Sequence, residues 1–278
     1  MRKSPRLRSR LPATLATHEA LETDSHVNPL GHTRSVIAND HALITPDTHV
    51  WAALPGWSDA TAAVHISPAM GAEFLQATLT LNEGAVGDAP PAGIERFLYV
   101  LAGVTGVAIP GHGEHELHPG HFAYLPAGCD HRIAAVHPSL VVVFEKRYTP
   151  GPGDPPEPIV GDTAEVAGEP FMGDEDAQLQ QLLPDDDRYD MACNVFTYQP
   201  GAALPQVEVH VMEHGLLMLD GAGIYRLGDA WYPVGAGDVI WMRAYCPQWF
   251  AAIGKEPARY LYYKNVNRDA LGVSGAAL

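Results

Sequence analysis

The chain repeats itself, and this repeat limits its possible folds more than any other feature. The segment ERFLYVLAGVTGVAI (95–109) matches EHGLLMLDGAGIYRL (213–227), and PGHFAYLPAGCDH (119–131) matches AGDVIWMRAYCPQ (236–248). The same offset of about 117 residues relates both pairs, and a recurring offset indicates a duplicated structural unit. We therefore expect two copies of one domain.

Each copy consists of short runs that are typical of β-strands. These runs are rich in Val, Tyr, Phe, Trp and Thr, and turn residues bound them, as expected for a sandwich or barrel. The runs are AVHIS (63–67), EFLQATLTL (73–81), FLYVL (97–101), SLVVVFEKRY (139–148), MACNVFTY (191–198), GIYRL (223–227), VIWM (239–242) and YLYYKN (260–265). Only DEDAQLQQLLP (174–184) predicts a helix, of one or two turns ended by Pro184.

A proline-rich segment, TPGPGDPPEP, divides the chain into halves of similar length. Its prolines disfavour a sheet interior and stiffen an extended path. We predict an N-terminal arm and lead-in at 1–45, a first domain at 46–148, a linker at 149–160 and a second domain at 161–278.

The charge balance limits the partners of the chain. Lys and Arg number 17 against 33 Asp and Glu, a formal net charge of −16. Such a surface repels phosphate backbones and anionic membranes, so we predict neither a nucleic-acid nor a membrane partner. A small anionic substrate remains compatible, because a few local cations can hold it.

Cysteine usage and the N-terminus predict a cytoplasmic protein. The three cysteines form no C-x-x-C pair and are too few for a disulfide framework, which fits a reducing compartment. The basic start, MRKSPRLRSR (1–10), is followed by no apolar run of signal-peptide length. It reads as a solvated tail, with a targeting or docking role as the alternative.

The segment QVEVHVMEHG (206–215) holds the densest group of candidate ligands, namely Glu208, His210 and His214. In a strand, residues i and i+2 share a face, so Glu208 and His210 project together. A helix would place His210 and His214 one turn apart, but the β-branched VEVHV favours strands. The group is either a metal site or a polar patch, and the protease pattern H-E-x-x-H is absent.

The surroundings of this segment resemble a known family motif. Gly201, a short run, E-x-H-x-x-x-H and then Gly221 resemble the first cupin motif. Glu208 replaces the usual first histidine, and His214 replaces the usual glutamate.

The second cupin motif has a counterpart too. Gly237-Asp238 resembles its start, and Gln248 occupies its ligand position. The chain thus resembles a bicupin, which implies an all-β fold of two tandem, jelly-roll-like cupin barrels. With YLYYKNVNR (260–268), the Glu, His, His, Gln set is similar to the (S)-ureidoglycine aminohydrolases.

This resemblance implies an enzyme that hydrolyses (S)-ureidoglycine to (S)-ureidoglycolate and ammonia in purine and allantoin catabolism, and a homo-oligomer. It also implies Mn²⁺, bound by Glu208, His210, His214 and Gln248. One carboxylate, two imidazoles and an amide oxygen, without a thiolate, suit Mn²⁺, while Fe²⁺, Zn²⁺ or Ni²⁺ could compete.

Further residues are expected around the substrate. The resemblance places Tyr260 and Lys264 in the pocket as catalytic residues, with Lys264 binding the substrate carboxylate and Tyr260 forming a hydrogen bond. Tyr225 and Gln248 are further candidates for contact with the substrate. The alternatives are a barrel-wall tyrosine and a solvated lysine at a strand end.

Neighbouring residues are expected to have structural roles. Cys246 shares strand parity with Gln248, but a small buried side chain is the favoured interpretation. Glu213 has the opposite parity from His214 and is expected to point outward.

The first domain lacks a ligand set. Pro90, Ala92 and Arg96 stand at its first-motif positions, with His131 in the second. One histidine cannot hold a divalent metal, so we predict a metal-free domain that serves structure or oligomer contacts. The histidine-rich run GHGEHELH (111–118) predicts a solvent-exposed turn.

Two other functions remain open. One is a different metal bicupin, a dioxygenase or decarboxylase acting on a small carboxylate; these usually keep three histidines and a glutamate, so Gln248 argues against them. The other is a non-enzymatic bicupin that binds a small molecule.

Overall fold

A computed structural model describes residues 32–269 of the chain. The basic segment 1–10 lies outside the described residues. Across 32–269 the regular structure is β-strand apart from three short 3-10 helices, Pro46–Thr48, Pro68–Met70 and Thr163–Glu165. No helix in this range has the length and apolar character that a membrane crossing requires.

The strands are numbered in chain order. Those of the first half are β1 (Val36–Ile37), β2 (His41–Ile44), β3 (Trp51–Ala52), β4 (Trp57–Ile66), β5 (Phe74–Asp88), β6 (Ile94–Ile109), β7 (Gly113–Leu117), β8 (His121–Leu125) and β9 (Arg132–Arg147). Those of the second half are β10 (Ile159–Asp162), β11 (Glu169–Phe171), β12 (Asp174–Gln181), β13 (Met191–Tyr198), β14 (His214–Asp220), β15 (Ala222–Leu227), β16 (Ala230–Gly235), β17 (Val239–Met242), β18 (Gln248–Ile253) and β19 (Ala258–Asn265).

These strands form three antiparallel sheets. The first sheet has the order β10-β8-β6-β9-β5-β4-β3, with β7 paired to β6. The second has the order β1-β2-β17-β14-β19-β13-β12-β11, and the third is β16-β15-β18. An apolar core fills the first half, and another lies between the second and third sheets. The all-β bicupin organisation expected from the sequence is confirmed.

Two matched glycines show that the halves share a backbone feature. Gly103 and Gly221 adopt φ values of +79° and +72°, in the left-handed region that favours glycine. A β-carbon at either position would collide with the backbone of the facing chain, at Pro138 and Pro257 respectively. The repeat seen in the sequence therefore includes a left-handed backbone position that favours glycine.

Each half lends one strand to the other. The lead-in strand β2 pairs with β17 of the second half, and β10 pairs with β8 of the first half. Strand β10 runs across the predicted boundary at 160, and β2 of the predicted lead-in pairs with the second half, so the division into domains stays a prediction. The exchange also ties the lead-in directly to a sheet that carries site residues.

The helix predicted at 174–184 is wrong. Residues Asp174–Gln181 form β12, which pairs with β11 and β13 near the edge of the second sheet. A helix of one or two turns is marginal by itself. Ladder bonds to β13 satisfy the same backbone groups, so tertiary pairing decides the conformation.

The interface between the halves orients the strands that carry the site. The ring of Tyr263 on β19 lies 4.2 Å from that of Phe74 and 5.9 Å from that of Phe144. On β14, Gly215 leaves room for Phe74, because a β-carbon there would lie 2.5 Å from its ring. With one face of β14 and β19 packed against the first half, their opposite faces are left for the second half's interior.

A buried polar cluster also joins the halves. The Tyr124 hydroxyl donates to Glu95 Oε2 at 2.7 Å, and Lys146 Nζ lies 3.9 Å from Glu95 Oε1. The same Lys146 donates to Asp190 of the second half. Burial, together with the nearby Asp190 carboxylate, raises the pKa of Glu95 from 4.5 to about 9, so Glu95 is protonated at neutral pH.

This proton uptake makes stability depend on pH. A carboxyl group whose folded pKa is raised contributes most below its unfolded pKa, so this contribution declines as pH rises from about 4.5 towards 9. We expect Glu95→Gln, which mimics the protonated acid, to flatten the fall in Tm between pH 5.5 and 9. Glu83→Gln, an exposed change on β5, should keep the wild-type slope. Equal slopes in wild type and Glu95→Gln would show that Glu95 does not carry this dependence.

Candidate active site

A cavity of about 570 Å³ lies in the second half, lined by side chains from the second and third sheets and from the segment 206–212. Every residue that the sequence proposed for the site lines it. These residues are Glu208, His210, His214, Tyr225, Gln248, Tyr260 and Lys264. Their gathering from four separate stretches of chain makes this cavity the candidate active site.

The segment that carries Glu208 is extended, but it is not the regular strand that VEVHV predicted. Glu208 and Gln248 form one isolated bridge, in which each backbone N–H donates to the other's carbonyl at 2.8 and 2.9 Å. The side chains of this segment still alternate between two faces, although its backbone forms no continuous ladder of hydrogen bonds. Val207 and Val209 are 38% and 55% exposed, while Glu208 and His210 line the cavity.

The side chain of Gln248 lies between the two imidazoles. Its Nε2 is 2.8 Å from His210 Nε2 and 3.3 Å from His214 Nδ1, and the ring centroids are 4.8 Å apart. A half-turn of the amide exchanges its nitrogen for its oxygen. The same group can then offer a ligand oxygen next to two ring nitrogens.

Burial sets the charge of these groups. It lowers the pKa of His210 and, more strongly, that of His214, and the Lys264 cation lowers both further. Both imidazoles are therefore neutral at neutral pH, which is the form that binds metals. Burial raises the pKa of Glu208, while Lys264 opposes that shift.

The donor set fits a divalent metal. One carboxylate, two neutral imidazoles and an amide suit Mn²⁺ and its competitors, and His210 Nε2 and His214 Nδ1 both approach the Gln248 amide. The ligand atoms of Glu208, His210 and His214 are spread more widely than 4.8 Å, however. These side chains must therefore move closer together to bind one ion.

Among residues 32–269, one trio of possible ligand atoms does lie within 4.8 Å, namely Asp40, His41 and Cys246. Both ring nitrogens of His41 are already used, Nδ1 by Asp40 and Nε2 by the Tyr232 hydroxyl, each at 2.8 Å. Burial raises the pKa of the Cys246 thiol to about 11. The trio is thus a hydrogen-bonded cluster, and Cys246 is the small buried side chain that its sequence position indicated.

Strand β19 supplies one wall of the cavity. Tyr260, Tyr262 and Lys264 alternate along it and line the cavity, while Leu261 and Tyr263 pack between the halves. The Tyr260 hydroxyl lies 3.1 Å from the hydroxyl of the buried Tyr198. The hydrogen bond with Tyr198 therefore fixes the position of the Tyr260 hydroxyl in this wall.

Lys264 is mostly enclosed, unlike the solvated strand end that was its alternative interpretation. Burial lowers the pKa of its ammonium group, and the carboxylates of Asp185 and Glu208 raise it. A cation in such a position can attract an anionic ligand into the cavity.

The sequence did not reveal one residue that lines the cavity, Tyr262, or the residue that forms a hydrogen bond with it, Asn194. Tyr262 lies on the same face as Tyr260 and Lys264, so the parity of β19 could have revealed it. Its partner Asn194, 68 residues earlier in the chain, donates to its hydroxyl at 2.9 Å. No local signal pairs such distant residues.

The prediction that Glu213 points outward is wrong. Its parity is indeed opposite to that of His214, but the second face of β14 meets the first half rather than solvent. Glu213 is 4% exposed, and it accepts hydrogen bonds from Trp241 Nε1 at 2.8 Å and from the Glu73 backbone at 3.0 Å.

In the first half, the position that corresponds to the candidate metal site is occupied by the guanidinium group of Arg96. Arg96 Nη1 lies 3.1 Å from His131 Nε2, and Arg96 Nε donates to Glu145 at 2.6 Å. Burial and this guanidinium lower the pKa of His131 to about 4. The arrangement supports the prediction of a metal-free first domain. The turn predicted at 111–118 is largely wrong: His112 lies in an exposed turn, but Gly113–Leu117 form strand β7, which pairs with β6, and Leu117 is buried.

Comparisons with known proteins agree with this geometry. The family model described as "Cupin domain" matches residues 194–263. A protein of Oryza sativa subsp. japonica named "Probable (S)-ureidoglycine aminohydrolase" is 44% identical over 89% of this chain and 80% of its own. The "(S)-ureidoglycine aminohydrolase" of Arabidopsis thaliana is 43% identical over 92% of this chain and 86% of its own.

A solved structure is similar over nearly its full length. The crystal structure of protein Ylba from E. coli has a TM-score of 0.77 and 30% identity, and the match covers 88% of this chain and 99% of that one. Because relatives above 40% identity cover most of both chains, this chain belongs to the (S)-ureidoglycine aminohydrolase family of bicupins.

Proposed function

We propose that this protein hydrolyses (S)-ureidoglycine to (S)-ureidoglycolate and ammonia, as a step in purine and allantoin catabolism. Water supplies the hydroxyl group that replaces the amine on the substrate's central carbon, and the amine leaves as ammonia. The observation that carries the proposal is the single cavity that gathers Glu208, His210, His214 and Gln248 beside the Lys264 cation. The names of the relatives supply the substrate.

We assign Mn²⁺ to Glu208, His210, His214 and Gln248. When bound, such a metal supplies Lewis-acid polarisation and lowers the pKa of a bound water. The neutral imidazoles and the hard oxygen donors support this choice. Elemental analysis of the protein purified without added metal would identify the ion.

The remaining polar groups bind and orient the substrate. The Lys264 ammonium offsets the charge of the substrate carboxylate in a site that is largely removed from water. The side chains of Tyr225 and Tyr260 both line the cavity, and their hydroxyls offer hydrogen bonds to the substrate's polar groups. Fixing three parts of a chiral centre directs the water to one face, which gives a single enantiomer.

An ammonia-release assay tests the function. Purified protein with Mn²⁺ should release ammonia from ureidoglycine above the uncatalysed rate, form (S)-ureidoglycolate and consume no oxygen. Oxygen uptake or decarboxylation of a small carboxylate would favour a different metal bicupin. Tight binding of ureidoglycine without turnover would favour a binding protein.

The partners follow from charge and from the degenerate first half. With a net charge of −16, we assign a small anionic molecule as the ligand, with neither nucleic acid nor membrane as a partner. We also assign a cytoplasmic location and a homo-oligomer in which the metal-free first domain provides contacts. A solution mass measurement tests the assembly.

A further inference from the structure

One hydrogen bond in the site has a defined direction. Asn194 on β13 stands opposite Tyr262 on β19, and its Nδ2 donates to the Tyr262 hydroxyl oxygen at 2.9 Å. Both residues are buried, with 2% and 8% exposure. Because an amide nitrogen can only donate, the phenolic oxygen is the acceptor.

The hydroxyl hydrogen of Tyr262 is therefore left for another acceptor. Within residues 32–269, Asn194 is the one hydrogen-bond partner of this hydroxyl. A tyrosine hydroxyl keeps its proton at neutral pH, because its ordinary pKa is about 10. A buried donor without an acceptor is costly, and a ligand oxygen would satisfy it.

The position of Tyr262 shows where that acceptor would lie. Its ring meets His214 edge-on at 5.6 Å, and it lines the active-site cavity together with Lys264. A second cavity of about 520 Å³ shares Tyr262 and Lys264 with the first and is also lined by Asn194. Asn194 does not line the first cavity, so it supports Tyr262 from behind.

Tyr262 and Lys264 stand two positions apart on one face of β19. A carboxylate has two oxygens, and an ammonium and a hydroxyl on neighbouring same-face positions can each bind one. We propose that Tyr262 and Lys264 together bind the substrate carboxylate, and that Asn194 is a positioning residue that directs the Tyr262 hydroxyl proton towards it. The assignment rests on the proposed function, because it takes its ligand from there.

If Tyr262 and Lys264 bind the substrate carboxylate, we can predict which kinetic constant changes when one of them is replaced. The carboxylate keeps its charge throughout the reaction, so its contacts bind substrate and transition state equally. Removing such a contact raises KM and leaves kcat nearly unchanged. A purely structural defect would instead lower kcat or Tm.

The direct test is Tyr262→Phe, which keeps the ring against His214 and removes only the hydroxyl. We expect KM for ureidoglycine to rise about ten- to a hundredfold, the loss expected for a hydrogen bond to a charged group. The value of kcat should stay within about twofold, and metal content should not change. Tyr263→Phe is the matched control, since its hydroxyl lies on the opposite face of β19, and its KM should equal that of the wild type.

The positioning role has its own test. In Asn194→Asp the ionised side chain can only accept, so it draws the Tyr262 proton away from the cavity and should raise KM as much as Tyr262→Phe does. In the double variant Asn194→Asp with Tyr262→Phe, KM should rise no more than in either single variant, because both substitutions remove the same interaction with the carboxylate. Asn194→Leu introduces no buried charge and should give a smaller rise in KM. It keeps the positioning role testable if the Asp variant misfolds.

The outcomes separate this inference from the proposed function. A wild-type protein that releases no ammonia overturns the proposed function, and this assignment with it. If the wild type is active but Tyr262→Phe keeps its KM, the carboxylate assignment alone is overturned. If the effects of the two substitutions on KM add in the double variant, Asn194 is not a positioning residue for Tyr262.

Discussion

His210→Ala is expected to empty the metal site and abolish ammonia release. His210 Nε2 and His214 Nδ1 both face the side chain of Gln248. Without His210, the remaining donors would be one imidazole, one amide and one carboxylate. Such a set would hold Mn²⁺ weakly, so elemental analysis should find far less than one metal per chain.

The matched control is His131→Ala in the first half. It makes the same change at the position that the repeat aligns with Gln248, where Arg96 lies 3.1 Å from the ring nitrogen. We expect its metal content to equal that of the wild type, at one ion per chain. One metal per chain in purified His210→Ala, or two in the wild type, would show that the ligand assignment is wrong.

Lys264→Met is expected to lower kcat/KM by about ten- to a hundredfold while the metal stays bound. Methionine keeps most of the side-chain length and removes the charge. Losing one charge-assisted hydrogen bond to the substrate carboxylate should cost about 1.5–3 kcal/mol, which corresponds to that factor. The comparison needs steady-state kinetics on ureidoglycine with metal content measured in parallel.

Lys264→Arg separates charge from shape. It keeps the cation, but the planar guanidinium differs from an ammonium in reach and hydration, so only part of the loss should return. A methionine variant with unchanged kcat/KM would place Lys264 outside the site. A methionine variant that also loses its metal would show instead that Lys264 supports the metal site.

The all-β repeat and most strands could be predicted from the sequence because they depend on local patterns. Gly103 and Gly221 align in the repeat and share a left-handed backbone conformation. The spacing of Glu208 and His210 placed both on one face, and that holds although the segment is not a regular strand. Alternation is a property of any extended backbone, so it survives the loss of the ladder.

Tertiary structure decided the features in which distant segments meet. The stretch 174–181 became a strand because β13 offers it a ladder, and Glu213 is buried because the first half covers that face of β14. The exchange of β2 and β10 between the halves, and the donation from Asn194 to Tyr262, likewise join residues far apart in the chain. A sequence pattern shows which face a side chain takes, but what that face meets depends on long-range packing.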